Sequence, residues 1–372
     1  MLTGSRNAEL GAVGDLIRSV VRKSRAPGIQ YVVVDCAAVL YECHAGSADL
    51  ATQRPMLADT TMMAFSMSKT VTAVAVLQLV DQAAVALDEP IARIIPWQPY
   101  GPDVTIRHLL CHTAGIPNPI PLRWVHSAGD LAFDERARLD AVLHRHPRLN
   151  TPPGTRCAYS NIGYWLLGFV VEAISGEPFR SYVANHIDAP LAGAGTQLGY
   201  EIPKGVPHAC GYLERYTLFN LFKPWLIDRA LIGDPVGAWV LLRDLYPDGP
   251  AFGGVVGNAA AFARFLQDQL SEHSVLLGDG ARKLMQTQQC TDSGPIAMTL
   301  GWHMGMFDRT PFLYKEGGGG GFHNMMRLYT GAGIGTVVMT NATSFNVGKL
   351  LDAADTEVLR LIGEPGDAIS RR

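Results

Sequence analysis

Long apolar runs are missing from this chain. Nowhere do about 18 uninterrupted apolar residues occur, so no membrane span is expected. An excess of one charge is missing too. Lys and Arg number 31 against 34 Asp and Glu, and the basic residues are scattered rather than striped with aromatics, which excludes a nucleic-acid-binding class. Paired cysteines are also lacking. None of Cys36, Cys43, Cys111, Cys157, Cys210 and Cys290 forms a CxxC pair, and Cys111-His112 has no companions at metal-ligand spacing. The thiols are therefore expected to be mostly buried and reduced, with no metal and no cofactor. The opening "MLTGSRNAELGAVGDLIRSVVRKS" carries charges throughout and has no apolar signal core, so a cytoplasmic location is expected.

What is present is the composition of an ordinary globular protein, with 48% hydrophobic and 17% charged residues over 372 positions. Apolar spacing predicts an amphipathic helix over 8–24, and "GIQYVVVD" with "AVLYECHAG" predicts a hairpin over 28–35 and 38–46. A helix from Ser66 to about Ala84 is apolar on nearly all sides and so should be buried. Proline-rich pieces then separate short helices such as 105–111 and 161–175. Strands return at about 300–307, 311–315, 322–330 and 333–341, and a helix over 344–362 closes the chain. The pattern predicts an α/β class, an α+β sandwich whose antiparallel sheet is built from both chain ends and flanked by helices. Residues 1–85 and 251–372 would form this lobe, and 86–250 an inserted, mostly helical one.

"FSMSK" offers two serines to one lysine. Residues three apart share a helix face, so Ser66, not Ser68, lies beside Lys69. At a helix start its hydroxyl would sit near free N–H groups that favour an oxyanion, and a lysine sunk in apolar surroundings becomes a proton acceptor. The alternative, Ser66 as a helix cap and Lys69 as a snorkelling surface lysine, stays open on this stretch alone. Downstream, "PPGTRCAYSNIGYW" places Tyr159 and Asn161 in a turn before an apolar helix, where each could equally be a packed structural residue. Five glycines, Gly317 to Gly321, follow a strand-like segment, as needed where backbone closely approaches a ligand, or else form a hairpin loop.

Together "FSMSKTVTAVAVLQLVDQAAVALDEPI", "VTIRHLLCHTAGIP", "PGTRCAYSNIGYWLLG", "GGVVGNAAAFARFLQ" and "GGGGGFHNMMRLY" resemble the penicillin-recognising serine hydrolases, in the order of the class C β-lactamase branch. That branch also holds D-alanyl-D-alanine peptidases, D-aminopeptidases and family VIII carboxylesterases. The resemblance implies Ser66 as the acylated nucleophile, Lys69 as its partner, and Tyr159 as proton shuttle. It implies Asn161 on the substrate's acyl side and a third motif at Lys315-Glu316-Gly317. The N–H groups of Ser66 and Gly318 would form an oxyanion hole, each donor worth about 3–4 kcal/mol.

Glu316 departs from the family pattern, which has a hydroxyl residue there. A glutamate would repel a carboxylate or pair with Lys315 and cancel its pull. His323, just past the glycines, is a further candidate for substrate contact, whereas His108 and His112 are read as structural. The aromatic-rich stretch 213–249, with Trp225 and Trp239, is expected to line or cover the cleft with apolar surface, or else to supply extra helical core or a dimer contact.

The resulting expectation is a carboxylesterase acting on uncharged or lipophilic esters. A β-lactamase, a D-amino-acid amidase or peptidase, an acyltransferase and a non-catalytic binding protein are the alternatives. The partner would be a small ester, amide or lactam, with a homo-oligomer left open.

Overall fold

The computed structural model describes residues 4–119, 123–216, 228–289 and 297–363. Seven strands form its main sheet: β1 (Gly28–Val34), β2 (Val39–Asp49), β3 (Arg54–Pro55), β4 (His303–Phe307), β5 (Thr310–Gly319), β6 (Phe322–Tyr329) and β7 (Ile334–Thr340). Their order is β4-β5-β6-β7-β1-β2-β3, and every neighbour is antiparallel. The first and last thirds of the chain therefore meet at the β1–β7 seam, where Ile29 pairs with Thr340 and Val34 with Gly335.

Helices cover both faces of this sheet. On one, α1 (Gly4–Arg22) and α5 (Val347–Gly363) set Val13, Ile17, Leu351 and Val358 against Ile29, Tyr31, Val33 and Val338. On the other, α2 (Ser68–Asp81) and α4 (Ala259–Leu270) pack Val71, Phe262 and Leu266 with Val32, Val34, Val337 and Met339. Being covered twice explains why all seven residues of β1 are buried and why its sequence does not alternate. The α1–α5 face also holds a buried ion pair. Arg327 Nη1 lies 3.2 Å from Asp355 Oδ2, and the same oxygen accepts from the Tyr329 hydroxyl at 2.7 Å.

Helix α3 (Asn161–Ser175) begins where the sequence placed it, with Ser160 accepting the Gly163 N–H as its cap. Two expectations need correction. The helix starting at Ser66 is instead a 3₁₀ turn over Phe65–Met67 that runs into α2, which stops at Asp81 rather than near Ala84. Phe65 has φ +47° and Ala83 φ +55°, so the backbone turns sharply at both ends.

Where it is described, the stretch 213–249 is mostly strand, with helix only in a short 3₁₀ turn at Arg229–Leu231. Gly211–Glu214, Ile232–Val236 and Trp239–Leu242 form a small antiparallel sheet, and Trp239 points into the α1–α5 core rather than the cleft. Alternation along its strand turns Trp239 to the covered face. Trp225 lies outside the described residues.

Candidate active site

The turn at Phe65 fixes the site. Its φ of +47° is a strained value for a bulky side chain, held in place by packing on both sides. The Ala64 N–H donates to the Val255 carbonyl at 2.8 Å, and the Phe65 ring lies over the glycine strand. A Cβ at Gly319 would come within 3.1 Å of that ring, and one at Gly317 within 2.1 Å of the Ala64 carbonyl oxygen and 2.9 Å of the Ser66 nitrogen. The glycine run is thus largely strand, Gly317–Gly319 belonging to β5, and it presses directly on the turn carrying Ser66. Beyond Tyr314 the outer edge of β5 is no longer paired with β4. Gly318 sits on that edge, exposed, paired with His323 across β6 and next to Gly317.

The two serines separate cleanly. Ser68 is buried, donating to the Phe65 carbonyl at 2.6 Å and accepting from the Val255 N–H at 2.9 Å, so its hydroxyl ties the turn together. Ser66 caps nothing, since α2 is preceded by Met67 without a side-chain cap. Its Oγ lies 3.0 Å from Lys69 Nζ and accepts from the Tyr159 hydroxyl at 2.8 Å.

Lys69 does not snorkel. It is fully buried, and burial, helped by the nearby Lys315 charge, holds its ammonium well below the usual lysine range. Its other two contacts are carbonyl oxygens, Asn161 Oδ1 at 2.8 Å and the Phe252 carbonyl at 2.6 Å. Both can only accept, so a neutral amine spends its two hydrogens there and turns its lone pair to Ser66. Asn161 is therefore committed to Lys69, and its Nδ2 donates to Asn118 Oδ1 at 3.1 Å.

Tyr159 is held by its neighbours. Ala158 N–H donates to the His112 carbonyl at 2.8 Å, Ser160 N–H donates to His112 Nδ1 at 3.1 Å, and the His112 ring packs at a tilt with its centre 4.4 Å from that of the phenol ring. Burial pushes the phenol well above the usual tyrosine range, with the Glu316 charge adding to it and the Ser66 hydrogen bond opposing it.

Glu316 pairs with neither Lys315 nor Lys69. Its Oε1 lies 2.6 Å from His323 Nε2, and His323 Nδ1 donates to the Phe345 carbonyl at 2.6 Å. Strand alternation is the reason, because Glu316 and Lys315 emerge on opposite sides of β5. Lys315 is fully buried, and among the described residues its Nζ has no acceptor. Burial pulls it down to about 7, opposed by the Cys157 thiol. His323 is thus engaged by Glu316 and Phe345, with its ring edge over Gly318.

The Beta-lactamase family profile matches residues 13–359. The chain belongs to the β-lactamase family. As a member it is a serine hydrolase, and its antiparallel sheet with flanking helices is the fold of that family. Penicillin-binding protein 4 of Amycolatopsis lactamdurans is 27% identical over 333 residues, covering 82% of this chain and 79% of that protein. Esterase EstB of Burkholderia gladioli is 32% identical over 202 residues, covering 50% of this chain and 49% of the esterase. Among solved structures, D-amino acid amidase from Ochrobactrum anthropi SV3, complexed with L-phenylalanine amide, superposes with a TM-score of 0.78 at 20% identity, covering 95% of this chain and 98% of the amidase. Among the described residues, no helix of this β-lactamase-family chain is long and apolar enough to cross a membrane, and no cluster of side chains could hold a metal ion.

Sequence reasoning brought Ser66, Lys69, Tyr159 and Asn161 together and missed three partners. Asn118 lies in the proline-rich "GIPNP" loop, Phe252 contributes a backbone carbonyl, and His303 stands 6.0 Å from the Tyr159 ring on β4. A backbone carbonyl leaves no signal in side-chain chemistry, and a loop asparagine reads as turn punctuation.

Proposed function

We propose that the protein is a carboxylesterase that forms its acyl-enzyme on Ser66 and prefers uncharged, lipophilic esters. Lys69 acts as the base. Its lone pair faces Ser66 Oγ and takes the hydroxyl proton as the serine bonds to the ester carbonyl. The oxyanion is received by the backbone N–H groups of Ser66 and Gly318. Tyr159 remains a phenol, and its proton goes to the departing alkoxide as the ester C–O bond breaks; the Lys69 ammonium returns a proton to it. Water then attacks the acyl carbon, its proton passing to the same pair; the bond from that carbon to Ser66 Oγ breaks, Oγ takes the proton back, and the carboxylic acid leaves.

The observation that carries the substrate reading is the Glu316 carboxylate, whose charge is felt at Tyr159. The Glu316 side chain is 43% exposed and Lys315 is buried, so among the described residues an approaching carboxylate meets repulsion from Glu316 while Lys315 is out of reach. The identity to esterase EstB agrees with this, over half of the chain.

A fluorophosphonate probe followed by peptide mass spectrometry should label Ser66 and abolish turnover of an aryl butyrate; active enzyme with Ser66 unlabelled excludes this nucleophile. Rates on the aryl butyrate should exceed those on a chromogenic cephalosporin or a D-amino-acid amide. A marked preference for either of the latter moves the substrate class while keeping the chemistry. Inactivity across the whole panel would leave a binding role.

A further inference from the structure

Behind Tyr159 lies a cavity of about 210 Å³ that none of the chemistry above employs. His112, Cys157, Tyr159, Met298 and His303 line it, with the exposed Arg156 at its edge. One wall is therefore the phenol ring whose hydroxyl touches Ser66 at 2.8 Å. Cys157 is half-buried there and not in a disulfide.

Its surroundings hold a buried lysine and several side-chain nitrogens without a partner among the described residues. Lys315 is fully buried with its Nζ 5.5 Å from the centre of the Tyr159 ring, and it interacts electrostatically with the Cys157 thiol and with the His112 and His303 rings. His112, 2% exposed, spends Nδ1 on the Ser160 N–H, so its Nε2 carries the hydrogen. That Nε2, His303 Nδ1 and Lys315 Nζ are buried without a partner among the described residues. The Cys157 sulfur reaches the Cys111 carbonyl at 3.7 Å, and Lys315, where it is protonated, favours the thiolate, the reactive form. The mixed apolar wall of Met298 and Tyr159 suits a small uncharged molecule.

We propose that Cys157 is a covalent modification site: a small, soft electrophile entering this cavity is captured by its sulfur, and the adduct, wedged against Tyr159, switches off acyl transfer at Ser66. With a maleimide the sulfur bonds to one alkene carbon, the π pair moves to the other, and that carbon takes up the thiol's proton; nothing leaves. The switching-off rests on the Ser66 reading, whereas the capture does not.

The test treats the full chain with limiting N-ethylmaleimide and follows each cysteine by peptide mass and turnover by aryl butyrate hydrolysis. Each protein is compared with its own untreated rate. Cys157 should be modified at least as fast as the exposed Cys36, and the rate should fall in step with its adduct, on the order of a hundredfold at full modification. Cys157→Ser should keep its own rate under the same treatment, and Cys36→Ser should lose activity like the parent. Unmodified Cys157 where Cys36 has fully reacted overturns the proposal, as does a full Cys157 adduct with unchanged rate, or equal inactivation of Cys157→Ser. An unreactive Cys157 in an active enzyme refutes this site alone, while an inactive protein whose Cys157 still takes the label refutes the Ser66 reading alone.

Discussion

Two lysines with similar surroundings behave differently because their partners differ. Lys69 has three oxygen neighbours, whereas Lys315 has none among the described residues, so Lys315 is charged only at a cost. Its ionisation falls from 10.5 to about 7 in the folded chain. Between those two values the unfolded chain binds the proton and the folded one does not, so stability rises with pH across that window and is lowest below it. Lys315→Met should therefore be more stable than the parent by a few kcal/mol at pH 6, roughly 1.4 kcal/mol for each unit of depression, with the gap shrinking toward pH 10. Thermal unfolding at the two pH values measures it, and a gap that widens with pH would contradict the assignment. The same variant removes a charge that presses on Lys69, so the ascending limb of kcat/KM should move to higher pH, whatever the loss in rate. How much of this was legible beforehand follows from geometry. The i, i+3 spacing of Ser66 and Lys69 and the polar pair ahead of an apolar helix were readable from residue order. That Glu316 turns to His323 was not, because their contact spans β5 and β6 and depends on strand register.

At the scale of elements, the site exists because strand β5 and the turn before α2 touch without side chains between them. Gly317→Ala puts a methyl group 2.1 Å from the Ala64 carbonyl oxygen, a backbone atom that cannot step aside. The variant should lose about 1–3 kcal/mol of stability and most of its activity, since relief must displace Ser66 or the strand that carries Gly318. Gly331→Ala, where a Cβ would meet nothing within 4 Å, is the matched control and should change neither. Denaturant titration together with aryl ester kinetics decides; full activity in Gly317→Ala would show that this close approach does not position the nucleophile. The elements themselves were largely legible, since β1 and α2 are continuous apolar runs and α3 has a serine cap. The strand character of Gly317–Gly319 was not, because glycine carries no strand propensity and its place here is set by what it must let through.

At the scale of the molecule, the sheet depends on what seals its outer face. Asp355 is fully buried and accepts from Tyr31, Tyr329, Thr336 and Arg327, so one side chain of α5 ties together three strands of the sheet. Asp355→Ala leaves the Arg327 charge buried with one partner fewer and should cost about 3–5 kcal/mol. Paired removal with Arg327→Met should cost less than the sum of the two single changes, and a loss equal to that sum would mean that the pair is not coupled. The antiparallel sheet and its covering helices could be anticipated from strands at both chain ends, but this polar knot could not, since its members are up to 324 positions apart. That separation also governs how the protein comes into being. β1 is made long before its partner β7, which ends at Thr340, and β6, with β5 and its glycines pressed on the turn of Ser66, joins the β1 side of the sheet only through β7. A nascent chain thus carries Ser66 through a long stretch of translation before the strand that presses on its turn can be seated in the sheet.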